Sequence, residues 1–545
     1  MSLSLGILVL LSSISITQAA VCLKYLPQYF ENQTLHHLFW CAQGVNIILW
    51  AIYETQIYPR FICPLRQLPG PTGGYPLLGY GLIRFKKPVG PEYLKFMQET
   101  SHNGLMRYRG FLNTNNVLLA SPQTLAEVLV KRPYDFEKPE GPRNFMRRVL
   151  GDGLVLVEGD VHKFQRKRLM PSFSFRNIKD LYPTFWDKSI KLTDAIAEKV
   201  LASSGGTGIT DVNFWSTKVT LDIIGIAGLG RDFNTIKNSD DLLAQTYDKI
   251  MEPSLGKMII FALTSYKLHW LNQFVPGRID AKLESATDSL RRTCIHFVHE
   301  KREKSAAMGS ESTDILSKLM ETNEFSNEEL VDQLLTFIAA GHETTSSTFA
   351  WVIYLLASNP HIQSQLREEI HANLPTTSPV DADSDLSSVL ESLPLLNGVC
   401  NETLRLYPTV PLSMRTPRQD TTIAGQRIPK GTEIYIVPWA VNRDQELWGP
   451  DADVFKPERW IDAETGKPNN TGGTSSNYSI LTFLHGVHSC IGQGFAKAEL
   501  RALTAAFVGA FEIELAYPDR PPIPAGLITT KPEGGMWVKL KRASI

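Results

Sequence analysis

One uninterrupted helical pattern of about 30 residues sets the scale of what this chain can fold into. It opens at Ser326-Asn327-Glu328-Glu329, where Ser326 is placed to cap the first turn and Glu329 to reach back to the cap. It ends at Ser358-Asn359-Pro360, because proline cannot continue a helix. At 1.5 Å per residue such a helix is roughly 45 Å long, enough to cross a large domain. Elsewhere long helical patterns outnumber strand-like runs, which concentrate at Gly110 to Ala120 and Thr422 to Val437. The second of these reads as a hairpin with Pro429-Lys430-Gly431 inside it. No repeat appears at solenoid or propeller spacing. The expectation is one large, mainly α domain with small β-sheets.

Composition narrows the function classes. Across 545 residues, Lys+Arg 55 and Asp+Glu 56 leave a net charge of −1, which excludes a broad cationic field for nucleic acid. With 43% hydrophobic and 20% charged residues, the chain is neither disordered nor polytopic. Cys22, Cys41, Cys63, Cys294, Cys400 and Cys490 form no CxxC pair and are too scattered for a disulfide scaffold or a structural zinc site.

The chain begins with a membrane signal. Leu3 to Leu23 holds no charged residue and is long enough to cross a bilayer as a helix. Thr17-Gln18-Ala19 resembles a signal-peptidase site, but no Lys or Arg precedes the run, which favours a retained span over a cleaved signal. A second apolar run, Leu38 to Tyr53, is shorter and interrupted by Gln43 and Asn46; it can span, lie in the interface or pack on the folded domain. Arg60, Arg66, Lys86 and Lys87 follow it, whereas Lys24 alone lies between the runs, so the positive-inside rule places the rest of the chain in the cytosol. With both runs spanning, the loop between them is lumenal and Asn32-Gln33-Thr34 is a glycan acceptor. The expected organisation is an anchor over 1–60, a stiff Pro/Gly-rich linker over 61–76 and a catalytic domain over 77–545.

The strongest chemical signal surrounds Cys490, in Phe483-Leu484-His485-Gly486-Val487-His488-Ser489-Cys490-Ile491-Gly492. A helical pattern follows from Gln493 to Phe511, so the cysteine faces orphan N–H groups and the positive end of a helix dipole, which favour thiolate. Gly486 and Gly492 let the backbone turn and lie against a flat ligand, and His488 can donate to an anion beside the sulfur. A lone thiolate held this way suits haem iron. A buried inert cysteine is the commoner fate of the residue. From this chain's composition, however, F-x-x-G-x-x-x-C-x-G arises by chance in roughly one chain in a thousand. In the middle of the long helix stands Ala340-Gly341-His342-Glu343-Thr344-Thr345. Gly341 leaves room for a bulky group, the Thr pair can bond back to the helix, and Glu343 with Thr344 can relay protons. Glu402-Thr403-Leu404-Arg405 places acid and base on one helix face, which in isolation reads as a solvated surface pair.

Together, and in this order along residues 68 to 540, these motifs resemble those of the cytochrome P450 family, in the style of fungal enzymes of secondary metabolism. The resemblance implies a P450-like fold in which Cys490 is the axial ligand of haem (heme b, iron protoporphyrin IX), with Phe483, Gly486 and His488 in the ligand loop. The family more often has Arg at the position of His488. It implies an acid–alcohol pair in Glu343 and Thr344, and a buried structural triad of Glu402 and Arg405 with Arg459 of Phe455-Lys456-Pro457-Glu458-Arg459-Trp460. His162 and Arg166 stand where the family carries Trp-x-x-x-Arg against the haem propionates, and Arg415 fits a further propionate-binding residue. It also implies a monooxygenase of the endoplasmic reticulum membrane, its catalytic domain facing the cytosol. Such an enzyme takes electrons from NADPH through NADPH–cytochrome P450 reductase and uses O2 to oxidise a lipophilic terpenoid or polyketide-type molecule. Two other readings stand beside it. One is a same-fold isomerase or dehydratase needing no external electrons, against which the Glu343–Thr344 pair argues; the other is a non-catalytic haem-binding scaffold.

Overall fold

The structure, a computed structural model, describes residues 5–30, 33–202, 205–238, 246, 250, 254–265, 268–308, 314–374, 385–526 and 528–543. Asn32, the glycan acceptor expected from sequence, lies outside the described residues.

Two apolar helices, Leu5–Tyr25 (α1) and Leu35–Ile52 (α2), lie against each other, and the chain stays helical from α2 to Ile62. The expected linker does not hang free. The Arg107 N–H donates to the Pro69 carbonyl at 2.8 Å, and a Cβ on Gly70 would stand 1.7 Å from the Arg107 carbonyl oxygen. Only glycine fits that approach, so the Pro/Gly run is stitched to the first strand rather than serving as a spacer.

Leu105–Arg109 (β1) pairs antiparallel with Asn115–Leu119 (β2), and Phe136–Glu137 (β3) follows. Next come Gly159–Leu169 (α3), Thr207–Asp211 (β4), Val212–Ile224 (α4), Leu255–Ser265 (α5), Asn327–Ser358 (α6) and Pro394–Leu406 (α7). Ser413–Pro417 (β5), Thr421–Ile423 (β6), Gln426–Ile428 (β7) and Ile434–Ile436 (β8) then precede Gln493–Ala510 (α8). Phe511–Leu515 (β9), Pro524–Ala525 (β10), Lys531–Pro532 (β11) and Trp537–Arg542 (β12) complete the chain. The largest sheet runs β1-β2-β8-β5-β3, with β2 and β8 parallel; a smaller one runs β4-β12-β9. The hairpin expected over 422–437 turns at Ala424-Gly425, where φ is +47° and +79°, while Pro429-Lys430-Gly431 forms the separate turn leading into β8. Gly425 supplies the left-handed conformation that this tight turn needs.

The capping box of α6 is made as its residues dictate. The Glu329 N–H donates to Ser326 Oγ at 3.2 Å, and the Ser326 N–H donates to the Glu329 carboxylate at 2.8 Å. Beyond it α6 is buried nearly throughout, packed on α4 and α8, with Trp351 stacked on Tyr407 at 4.2 Å. This helix is the axis of the larger apolar core; a second core lies under the five-stranded sheet. In α5, Ile260 and Phe261 join the larger core, while Trp270 and Phe274 beyond it are 60% and 69% exposed.

Candidate active site

Cys490 sits at the mouth of α8, whose N-cap is Gly492. Its own N–H donates to the Phe483 carbonyl at 2.9 Å, which closes the loop between them. Within the loop Gly486 has φ +75°, and a Cβ there would lie 2.0 Å from the Leu129 carbonyl oxygen. The backbone of a neighbouring segment, not a ligand, therefore demands glycine at 486. Cys490 keeps accessible surface although protein surrounds it closely. Burial raises the thiol pKa above its ordinary value; the Gly492 N–H and the Arg166 guanidinium work the other way.

In α6, Ala340 is the only exposed residue between Leu330 and Ala357. Gly341, Glu343 and Thr344 beside it are half-buried, between the buried residues Ala339 and Thr345. Phe173 links the preceding turn of α6 to the cysteine loop. Its ring stands 5.7 Å from that of Phe337, and its edge lies 4.0 Å from where a Cβ on Gly492 would point, the same separation as Cys490 Sγ. Thr344 donates back to the Ala340 carbonyl at 2.6 Å, as a helical threonine does when it lacks another acceptor. Burial raises the Glu343 pKa, opposed by Lys531 and by a hydrogen bond from Thr529, so this carboxyl is suited to holding and passing a proton. Gly341 departs from the sequence expectation. A Cβ there would stand 2.9 Å from Ile224 Cδ1, so this glycine admits α4 rather than a bulky ligand.

The expected anion site is a buried basic cluster built from distant segments. Arg166, on α3, donates through Nη1 to the Ser489 carbonyl at 2.7 Å, bracing the residue next to Cys490. Arg415, on β5, is buried and donates to the Met414 carbonyl at 2.8 Å. The rings of His162 and His488 lie 4.2 Å apart, tilted by 32°, and Tyr134 Oη lies 3.1 Å from His162 Nδ1. Sequence reasoning missed Lys138. It pairs with Glu158 at 3.0 Å, and burial together with Arg415 brings its pKa down to about 8. Burial first and Lys138 next push His162 down to about 4 and His488 down to about 2. Both rings are therefore neutral near pH 7, and the 3.7 Å approach of His488 Nε2 to Glu158 is not an ion pair. That nitrogen is buried without a hydrogen-bond partner among the described residues. Lys138, Arg166 and Arg415 gather around the His162–His488 pair with Glu158 beside them, positive charge suited to a ligand carrying carboxylates. Beside the Cys490 thiol, this donor set fits haem.

The ion-pair cluster beneath is brought together in full. Arg405 and Glu402, both at zero exposure, share bonds of 2.8 and 2.7 Å, a bidentate pair. Arg459 Nε reaches Glu402 at 3.3 Å and the Trp460 indole donates to it at 2.9 Å. Arg405 Nη1 donates to the Asn442 carbonyl at 2.7 Å and the Ala452 carbonyl at 2.5 Å. The spacing that reads as a surface pair thus clamps the irregular segment ahead of the cysteine loop onto α7.

Comparison with known proteins points the same way. The cytochrome P450 family model matches residues 69–538. A cytochrome P450 monooxygenase of Penicillium ochrochloron is 39% identical over 505 residues, covering 92% of this chain and 98% of the relative. Another, of Aspergillus fumigatus, is 39% identical over 501 residues, 90% of each. A third, of Leptosphaeria maculans, is 37% identical over 507 residues, 91% of each. An accessible thiol at a helix mouth and a family match over residues 69–538 agree: this protein belongs to the cytochrome P450 family and is a monooxygenase, an oxidoreductase that uses haem iron.

Proposed function

We propose that the protein is a membrane-anchored haem-thiolate monooxygenase of the endoplasmic reticulum. In this reading it draws electrons from NADPH through NADPH–cytochrome P450 reductase and oxidises a lipophilic terpenoid or polyketide-type molecule in a secondary-metabolite pathway. The observation that carries the reading is Cys490, accessible at the mouth of α8 and linked through Phe173 to Phe337 of α6. In this reading Cys490 would supply the thiolate to the haem iron, Arg415, Lys138, His162 and His488 would hold the propionates, and Arg166 would brace the ligand loop. Haem bound there supplies the activation of O2, one atom entering the substrate and the other leaving as water with two electrons and two protons. Glu343, its pKa raised by burial, holds a proton at its carboxyl, and the Thr344 hydroxyl hands it on once it turns from the Ala340 carbonyl. Glu402, Arg405 and Arg459 support the pocket and take no part in proton transfer.

The test is turnover in membranes containing the protein and a P450 reductase, screened against lipophilic substrates under 18O2. The reading predicts NADPH-dependent products carrying one 18O atom. Products formed without NADPH, or with no oxygen from O2, would point instead to an isomerase or dehydratase on the same fold.

A further inference from the structure

The two N-terminal helices differ from ordinary surface helices in where they put their polar groups. On α1, Leu11, Ser15 and Ala19 are buried, a stripe at every fourth residue; on α2 the buried residues are Leu38, Gln43 and Asn46. Ser15 Oγ donates to Gln43 Oε1 at 2.8 Å. The Asn46 amide donates to Ser15 Oγ at 2.9 Å and to Gln18 Oε1 at 2.8 Å. The residues that interrupt the second apolar run are thus turned inward and spent on partners from the first. Outward stand Val9, Leu10, Ile14, Ile16 and Val21 on α1, with Val45, Ile48, Leu49 and Ile52 on α2. The exposed hydroxyls of Ser13 and Thr17 are also satisfied within α1, by the carbonyls of Val9 at 2.9 Å and Ser13 at 3.0 Å.

This is the reverse of what water selects and what hydrocarbon requires. A helix lying flat in the interface presents its amide side chains to water and its apolar face downward. In a bilayer core every polar group needs an internal partner, and small residues such as Ser15 and Ala19 let two helices approach closely. The ends carry interfacial chemistry. Tyr25, Tyr29, His36 and Trp40 cluster toward the connecting loop, and the Trp40 indole donates to His36 at 3.0 Å. Tyr53, Tyr58, Arg60 and Arg66 lie at the other end. At 1.5 Å per residue α1 is about 31 Å long, close to the thickness of the hydrocarbon layer.

We infer that α1 and α2 cross the membrane together as a hairpin clamped by Ser15, Gln18, Gln43 and Asn46, so that the N-terminus lies on the same side as the catalytic domain. The inference rests on the membrane-anchor reading above and adds to it the number of crossings and the retention of α1. Cleavage after Ala19 would strip Gln43 and Asn46 of their partners.

The test uses the full-length protein in microsomes, with a glycan acceptor on a long spacer placed either at the N-terminus or between Tyr25 and Thr34. The hairpin predicts that only the loop acceptor is glycosylated, that the N-terminal tag is retained, and that alkaline carbonate does not extract the protein. A glycosylated N-terminal tag would overturn it in favour of a single crossing. An unglycosylated loop acceptor would overturn it in favour of helices lying on the surface, and loss of the tag in favour of a cleaved signal. Release of the protein by carbonate would instead defeat the membrane-anchor reading itself. A second measurement addresses the clamp. In a background with Cys22 and Cys41 replaced by serine, Ser15→Cys with Gln43→Cys should form an oxidant-induced disulfide in membranes, whereas Ser15→Cys with Val45→Cys should not. Equal cross-linking of both pairs would contradict the clamp.

Discussion

Glu402 shows how much one residue can hold at zero exposure. Its two oxygens receive Arg405, Arg459, the Trp460 indole and the Lys456 N–H, so removing the carboxylate would leave two guanidinium groups without their buried partner. Glu402→Ala should lower stability by about 3–5 kcal/mol, read as a drop in the denaturant midpoint. A change under about 1 kcal/mol would mean that the cluster is not a support. His342 makes a second prediction at this scale, one that depends on pH. It is buried within α6, and burial first, then Lys531, lower its pKa from 6.5 to about 4. The unfolded chain therefore binds a proton between pH 6.5 and 4 that the folded protein refuses, so the folded state is favoured above this window and loses ground as pH falls through it. The contribution lost between pH 8 and pH 5 is about 2 kcal/mol. His342→Gln should flatten the fall in denaturant midpoint over that range by a similar amount, and an unchanged slope would count against the assignment.

Among the elements, α6 is the one on which both packing and chemistry depend. Its capping box and terminal proline fix where it starts and stops, and its middle approaches α4 where Gly341 meets Ile224. Gly341→Val should destabilise the protein by about 1–3 kcal/mol through overpacking, and adding Ile224→Ala should recover part of that loss. Simple additivity of the two losses would show that the residues do not share the contact. The α8 helix works differently. It brings its first turn to Cys490 and its buried length to the core, so the position of the sulfur follows from the packing of Phe495, Leu500, Leu503 and Phe507.

Across the whole molecule, what could be read from sequence was what short spacing encodes. The cap at Ser326, the Cys490 loop and the Glu402–Arg405 pair each lie within a few residues, and the helix around each reports its own period. What sequence left open depends on contacts between distant segments. Lys138 carries no motif, and only the fold brings it beside Arg415 and Glu158. The role of Gly341 depends on Ile224, more than a hundred residues earlier, and the docking of the Pro69–Gly70 segment depends on β1. The hairpin turn was misplaced because Pro429-Lys430-Gly431 carries stronger turn chemistry than Ala424-Gly425, although the latter closes β6 onto β7.

The central claim is that Cys490 supplies a thiolate to haem at the mouth of α8. The most direct test is the reduced, CO-bound difference spectrum of membranes containing the wild-type protein or Cys490→Ala. The account predicts a strongly red-shifted Soret band in the wild type and its loss in the variant. A wild type that binds haem without that band, or a variant that retains it, would contradict the claim.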